Sequence, residues 1–460
     1  MPVNSFEYYP MTWKPDKKRL QAPLYLSLAT LLETDIAGGY LSAGTQLPPQ
    51  RELADFLDIN LSTVTRAFKI CERKGLIYAV IGKGTFVAPN KVTPLGLLKN
   101  RSLIPFGNLR PYRQLNSIVS DAAGRLLQRQ SVDKLLRGNT VADGGRFKET
   151  AQYWLKKYFL NVSEKNIFLT YGTQNALVLL FLTVFQAGDK IAVDSFTYIN
   201  FIALAHRFKI ELVPLLSDNE GIRPDDLLKK CGQCRIKGIY LIPVSNNPTG
   251  VTLSPKRRAA LVEIIVKYRL LLIEDDTYAF TDGSPLPPLV TLIPENTVYV
   301  HGLSKALFTG LRVAYMVVPD RFIKEILLAF NSINVHIPPF NAEIADELIL
   351  SGDAEEIIKR KNELSKERNA LYYTFFPEYT SDNPHALFQW IPLPEGRSGY
   401  EFERLAGEHG LEVLCAERFF VGGMIKQSAL RVAVCSPDSV EELEKGFNIL
   451  KYLFNSVLCR

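Results

Sequence analysis

Cysteine is scarce, with six in 460 residues. That is too few for a disulfide framework in so long a chain and fits a reducing compartment. The one close pair, Cys231-Gly-Gln-Cys234, lacks the two further ligands at similar spacing that zinc requires. It follows Leu227-Leu-Lys-Lys and precedes a strand, whereas a redox pair opens a helix. It is expected to be an incidental loop, and no metal is expected. Long hydrophobic runs are missing too: the longest, Ala176 to Phe185, is too short to cross a bilayer and reads as a buried helix. The opening Met1-Pro-Val-Asn-Ser-Phe-Glu has no basic stretch leading into an apolar one, so the expectation is a cytoplasmic protein with no membrane partner. Charge of one sign is not in excess either. A net +6 permits nucleic-acid binding without arguing for it.

What is present is ordinary globular material, 47% hydrophobic and 22% charged, long enough for two or three domains. The first ninety residues have their own pattern. Leu24 to Ile36 places apolar residues at helical spacing and stops at Gly38-Gly39. Gly44-Thr-Gln-Leu-Pro-Pro-Gln-Arg51 leads into a second helix, Glu52 to Leu57. The break Asp58-Ile-Asn60 precedes a third helix with Ser62 as its N-cap, running to Lys74 and ended by Gly75. Two short helices around a tight turn make a helix-turn-helix, whose second helix presents Ser62, Thr63, Thr65 and Arg66 where base edges are read. Residues 76–81 and 85–87 then form a hairpin around Gly82-Lys-Gly84, able to lay Lys83 along a phosphate backbone.

This segment resembles the winged helix-turn-helix of the GntR family of bacterial regulators. The resemblance rests on Leu47-Pro-Pro-Gln-Arg-Glu-Leu-Ala54, Ser62-Thr-Val-Thr-Arg-Ala-Phe68 and Gly82-Lys-Gly-Thr-Phe-Val87. It implies that Arg51 contacts phosphate or base, that the third helix enters the major groove and that the wing holds Lys83. Leu61 stands where the family often has arginine, so base preference there does not carry over. Residues 1–90 hold ten Lys and Arg against eight Asp and Glu. That balance is thin for one copy on an operator, and a homodimer presenting two readers is expected.

The mixed Pro, Gly and Lys stretch Ala88 to Asn100 reads as a linker. Beyond it, apolar runs at Ile191–Val193, Leu212–Leu216, Ile239–Val244, Leu270–Ile273, Val298–Val300 and Val313–Val318 alternate with helical segments. The expectation is a largely parallel α/β sheet covered on both faces, with ligands at its strand ends. From about Ile344, charged helices followed by strands at Leu387–Ile391 and Leu430–Val434 suggest a smaller α+β part.

The strand ends carry chemistry. Thr170-Tyr-Gly-Thr-Gln-Asn-Ala-Leu177 runs from a strand into a helix, with Gly172, Thr173 and Gln174 offering backbone N–H groups to a phosphate. Tyr198 follows one strand and Asn246-Asn-Pro-Thr-Gly250 another, aiming Asn247 out of the sheet. Glu274-Asp-Asp276 ends a buried strand, where a carboxylate needs a cation. His301-Gly-Leu-Ser-Lys-Ala-Leu-Phe-Thr-Gly-Leu-Arg312 brings Ser304 and Lys305 into a loop beside a cationic fork. Lys305 is a candidate Schiff-base amine.

In this chain order the set resembles the fold-type I, aspartate-aminotransferase-like family of pyridoxal-phosphate proteins over about residues 104–460. The resemblance implies that Lys305 is the Schiff-base lysine, that Asp275 pairs with the pyridine nitrogen and that Asn247 and Tyr278 serve the ring 3′-oxygen. It further implies that Tyr198 stacks on the ring, and that Gly172, Thr173, Gln174, Ser304 and Arg312 form the phosphate cup. Arg431, in Ala429-Leu-Arg-Val-Ala433, would hold an α-carboxylate. Two positions depart from the pattern: Gly302, where a phosphate-binding Ser or Thr is usual, and Lys148, where arginine is common. Gly302 is expected to cost one phosphate donor.

The expected architecture is a winged helix at 1–89, a linker at 90–103 and a fold-type I body at 104–460. Within the body, a large mostly parallel-sheet part at 104–343 precedes a smaller α+β part at 344–460. That combination resembles the MocR-type subfamily. It implies a transcription regulator with bound pyridoxal 5′-phosphate that senses an amino acid, an amine or the cofactor itself. An aminotransferase with an accessory DNA-binding domain stays open, as does a DNA-binding protein whose large part only dimerises.

Overall fold

A computed structural model describes residues 11–458, apart from 38–39, 42–44, 74–75, 81–83, 89–102, 137–144, 284–285, 335–336, 423–424 and 426. Two units result. One takes in the N-terminal segment to Arg101, with Pro394–Arg404 and Gly422–Ser428; the other takes in the rest.

In the first unit, apolar residues at helical spacing build helices Leu24–Ala37, Gln50–Leu57 and Leu61–Arg73. They close over a core that includes Trp13, Leu28, Leu53, Val64 and Phe68. Asp58, in the left-handed region at φ 49°, ends the second helix, and Asn60 starts the third by accepting from the Ser62 backbone N–H at 2.8 Å. The cap is therefore Asn60, and Ser62, expected there, lies inside the first turn. Asn wins because its carbonyl reaches the N–H two residues on without leaving the turn. Strands Ile77–Val80 and Gly84–Val87 pair antiparallel as the wing. Lys83, the Gly38-Gly39 and Gly75 stops and the linker up to residue 102 lie outside the described residues.

In the second unit, continuous runs of β-branched and aliphatic residues give strands buried on both faces, as a sheet sandwiched by helices demands. Seven strands lie in the order Ile167–Thr170, Ala314–Val317, Thr297–Gly302, Leu271–Asp275, Gly238–Leu241, Lys190–Asp194, Glu211–Leu215. All neighbours are parallel except those of Ala314–Val317, which is antiparallel to both. A three-stranded antiparallel sheet joins Gln389–Pro392, Ala429–Val432 and Leu414–Cys415. Helix Asp353–Phe375 packs on the C-terminal helix Val440–Leu458 through rings such as Tyr372 against Phe447. The Cys231/Cys234 pair is not a loop. Cys231 lies in the last turn of helix Pro224–Gln233 and Cys234 is its C-cap, with both thiols free. The amphipathic run Asp226 to Lys230 carries the helix through Gly232.

Candidate functional site

Strand Thr297–Gly302 does not release Lys305 into a loop. It feeds a single helical turn, Leu303–Ala306, whose Lys305 Nζ donates to the Leu109 carbonyl at 2.8 Å. Burial pushes the Lys305 ammonium down to about 8; the buried Cys435 opposes this and the Arg431 and Arg312 guanidiniums reinforce it. An amine so placed is neutral far more often than a solvated lysine.

Asp275 ends its strand with both carboxylate oxygens bonded to neutral groups. Oδ2 accepts from the Tyr240 hydroxyl at 2.8 Å, and Oδ1 from the Thr277 hydroxyl at 2.5 Å and backbone N–H at 3.2 Å. Burial raises its pKa, with those hydrogen bonds opposing. Its two acidic neighbours serve the frame. Glu274 accepts from the Leu289 and Val290 N–H groups at 2.7 and 2.8 Å. Asp276 accepts from the Tyr299 hydroxyl at 2.6 Å. Tyr299 also meets the ring of His301, which accepts from Trp154 at 3.1 Å, and burial pushes that imidazole down to about 3.

Asn247, Tyr278 and Arg431 form one chain of contacts. The Asn247 amide nitrogen donates to the Tyr278 hydroxyl at 3.2 Å, and Arg431 Nη1 donates to Asn247 Oδ1 at 2.8 Å. Arg431 Nη2 donates to the Gly107 carbonyl, its guanidinium sits 4.9 Å from the Phe419 ring, and its buried Nε has no hydrogen-bond partner. Tyr198, half-buried, accepts from Asn200 at 2.9 Å, and its phenol is within electrostatic reach of Asp275, Arg312 and Arg431.

The residues expected to form the phosphate cup lie at the start of helix Gly172–Thr183. Gly172 has φ +73°, and a Cβ there would lie 3.2 Å from Arg312 Nη2, so glycine lets the guanidinium close on the helix N-terminus. Arg312 is itself left-handed, at φ 51°. Ser304 Oγ and Gln174 Oε1 are buried without hydrogen-bond partners. Gly302 has no side-chain hydroxyl to offer, and its surroundings leave no room for a larger residue. A Cβ there would meet Thr173 Oγ1 at 2.6 Å and Thr277 Oγ1 at 3.0 Å. Two threonine hydroxyls, 3.2 Å apart, fill the space a serine or threonine at 302 would use. Lys148 places its ammonium 5.8 Å from the centre of the Phe168 ring.

Sequence reasoning missed three groups. Thr277 was passed over between Asp275 and Tyr278. The Gly107 and Leu109 carbonyls occupy Arg431 and Lys305, which no sequence pattern announces. On helix Asp353–Phe375, Lys361, Ser365, Arg368 and Asn369 are all buried, and their i, i+4, i+7, i+8 spacing signals one polar face turned inward. Lys361 Nζ donates to the Lys305 carbonyl at 2.9 Å and the Leu307 carbonyl at 2.6 Å. Arg368 donates to the Val434 and Pro437 carbonyls.

In the N-terminal unit, Arg51, Ser62 and Arg66 are exposed and Thr63 is half-exposed. Thr65 donates to Gln50 at 2.8 Å, and Arg66 lies 4.5 Å over the Tyr25 ring. Leu61 is 38% exposed, so it faces outward at the head of the helix and is free for an apolar contact.

The model of the aminotransferase class I and II family matches residues 146–447, and that of bacterial regulatory proteins of the gntR family matches residues 24–87. The chain is 36% identical to the Uncharacterized HTH-type transcriptional regulator YdeF of Bacillus subtilis strain 168, over 99% of this chain and all of that one. It is 28% identical to the Vitamin B6 salvage pathway transcriptional repressor PtsJ of Salmonella typhimurium strain LT2, over 61% of this chain and 64% of that one. An archaeal alanine:glyoxylate aminotransferase superposes with a TM-score of 0.72 at 28% identity, covering 78% of this chain and 92% of that chain. The cofactor these matches imply is pyridoxal 5′-phosphate. The site fits it: a buried Asp275 lacking a cation among its hydrogen-bond partners, an unpartnered Ser304 hydroxyl, and a helix N-terminus closed by Arg312.

Proposed function

Since the chain belongs to the aminotransferase class I and II family and carries a gntR-family segment ahead of it, we propose that it is a cytoplasmic transcription regulator of the MocR type. It works as a homodimer whose pyridoxal-phosphate-binding units sense an amino acid or amine and alter how two DNA readers engage an operator. Residues 1–89 would be the reader, 90–103 the linker and 104–460 the sensor. The carrying observation is the contact chain from Arg431 through Asn247 to Tyr278, together with the lowered proton affinity of Lys305.

When bound, the cofactor supplies an aldehyde that primary amines attack and a ring that withdraws electrons. Lys305 would anchor it, Asp275 would face the ring nitrogen, and Asn247 and Tyr278 the ring oxygen. Tyr198 would stack on the ring, and Gly172, Thr173, Gln174, Ser304 and Arg312 would hold the phosphate. A buried Asp275 would favour a protonated ring nitrogen, because a carboxylate without a cation is costly there. Arg431 selects for a carboxylate: an incoming one takes the guanidinium away from the Gly107 carbonyl and gains a charge-assisted, two-pronged contact. An incoming amine would compete with Lys305 for the cofactor's aldehyde, leaving the Lys305 amine free to donate to the Leu109 carbonyl. The Gly107 and Leu109 carbonyls both belong to the stretch that follows the linker in sequence, so ligand entry would bear on the segment through which the reader is tethered.

In the reader, Arg51 would contact phosphate or base, Lys83 would lie along the backbone from the wing, and Ser62, Thr63, Thr65 and Arg66 would meet the major groove. A catalytic reading has one observation in its favour, since a lysine of lowered proton affinity can also shuttle a proton. The test is retardation of promoter DNA by the full-length protein with pyridoxal phosphate and each amino acid in turn. The regulator reading expects sequence-selective retardation that one compound alters, with negligible two-substrate turnover. Sustained turnover without selective DNA binding would replace it with the enzyme.

A further inference from the structure

Lys361 is a lysine with 1% of its surface exposed, and its ammonium bonds to the backbone of the Lys305 turn. The acceptors are the carbonyls of Lys305 and Leu307, groups that a one-turn helix leaves without an internal partner. We propose that Lys361 is a positioning residue: by binding these two carbonyls it fixes the rotation of the turn that presents Lys305. This deepens the reading of Lys305 as the anchoring amine and rests on it.

Three observations support the assignment. The helix that carries Lys361 is held on the same buried face by Arg368 and Asn369. Arg368 bonds to Val434 and Pro437, and Asn369 to the Pro384 and Ala386 carbonyls at 2.9 Å. The ammonium therefore hangs from a braced strut. Second, the two acceptors flank the turn: the Lys305 carbonyl lies inside it and the Leu307 carbonyl at its C-cap, so both bonds bear on its rotation. Third, burial lowers the Lys361 ammonium to about 7, and Lys305 lowers it further while Cys435 opposes; with or without that proton the amine keeps N–H donors for both carbonyls.

The test uses full-length apoprotein and pyridoxal phosphate at one pH near neutrality. The rate of uptake is followed by absorbance, and the site is fixed with borohydride and mapped on peptides. Lys361→Met keeps the bulk and removes the donor, so uptake at Lys305 should slow by about tenfold or more. Lys361→Gln keeps an N–H donor and should restore part of that rate. A role confined to packing spares Lys361→Met and gives no rescue by Lys361→Gln. A Lys361→Met rate equal to wild type, or a Lys361→Gln rate no better than that of Lys361→Met, overturns the proposal. If Lys361→Met does not fold, Lys361→Gln decides alone, and a rate equal to wild type overturns the proposal. Wild-type label absent from Lys305 overturns the anchoring assignment instead, which separates the two failures.

Discussion

Replacing Arg431 by glutamine removes the proposed carboxylate clamp while leaving an amide that can still reach Asn247 or Gly107. In the structure the guanidinium already holds two neutral acceptors, Asn247 Oδ1 and the Gly107 carbonyl. An amino acid's carboxylate thus replaces cation-to-carbonyl hydrogen bonds with an ion pair. A close, desolvated charge pair couples by about 1.5–7 kcal/mol, and the low end applies where existing hydrogen bonds are given up. Two exchanged contacts in a buried site therefore give about 2–3 kcal/mol, or roughly a 30- to 150-fold loss of affinity. The assay titrates the cofactor's visible absorbance with an amino acid and with the amine of the same side chain lacking a carboxylate. Wild type should prefer the amino acid by about that factor, and Arg431→Gln should bind the two nearly equally. If the variant keeps its preference, Arg431 is a framework residue and the clamp lies elsewhere.

Three further outcomes follow from the geometry. Gly302→Ala should cost about 1–3 kcal/mol in denaturant unfolding, because its Cβ would press on the Thr173 and Thr277 hydroxyls; adding Thr173→Ala should recover part of that, and purely additive losses would contradict the crowding. Burial raises Glu274 to about 8 from an ordinary 4.5, so its stabilising contribution is complete below about pH 4.5 and lost as pH rises through 8. Glu274→Gln should therefore gain stability relative to wild type across that window, by up to about 1.4 kcal/mol per pH unit, and a difference that stays flat with pH would refute it. Arg51→Ala should weaken operator binding in fluorescence anisotropy and lower the slope of log affinity against log salt by about one if Arg51 meets a phosphate; an unchanged affinity and slope would remove it from the interface.

Much of this was legible because the functional residues sit at the ends of strongly apolar strands. Asp275, Asn247 and Lys305 could be placed beyond strand ends from hydrophobic runs alone, since strands buried on both faces stand out in composition. The helix-turn-helix then follows from local order, whereas the Asn247–Tyr278 contact and the closeness of Gly172 to Arg312 join distant segments and are implied only by the family resemblance. Boundaries were less legible. Serine and asparagine compete closely for the cap, and only the turn geometry selects Asn60 over Ser62. The spacing of Cys231 and Cys234 gave no hint that the helix runs through Gly232 to Gln233. Least legible was whatever joins distant parts of the chain. That Thr277 fills the room left by Gly302, that Gly107 and Leu109 offer carbonyls to Arg431 and Lys305, and that Lys361 bonds to the turn 56 residues upstream are tertiary facts. Of these, only the inward polar stripe Lys361-Ser365-Arg368-Asn369 left a trace in the sequence, as charge and amide at helical spacing on one face.

The account stands on Lys305 as the residue that takes the cofactor. Full-length protein incubated with pyridoxal phosphate, reduced with borohydride and digested should yield one phosphopyridoxyl-bearing peptide, that of Lys305, and none from Lys305→Ala. A colourless protein that borohydride leaves unlabelled, or a label on another lysine with Lys305 untouched, would contradict it.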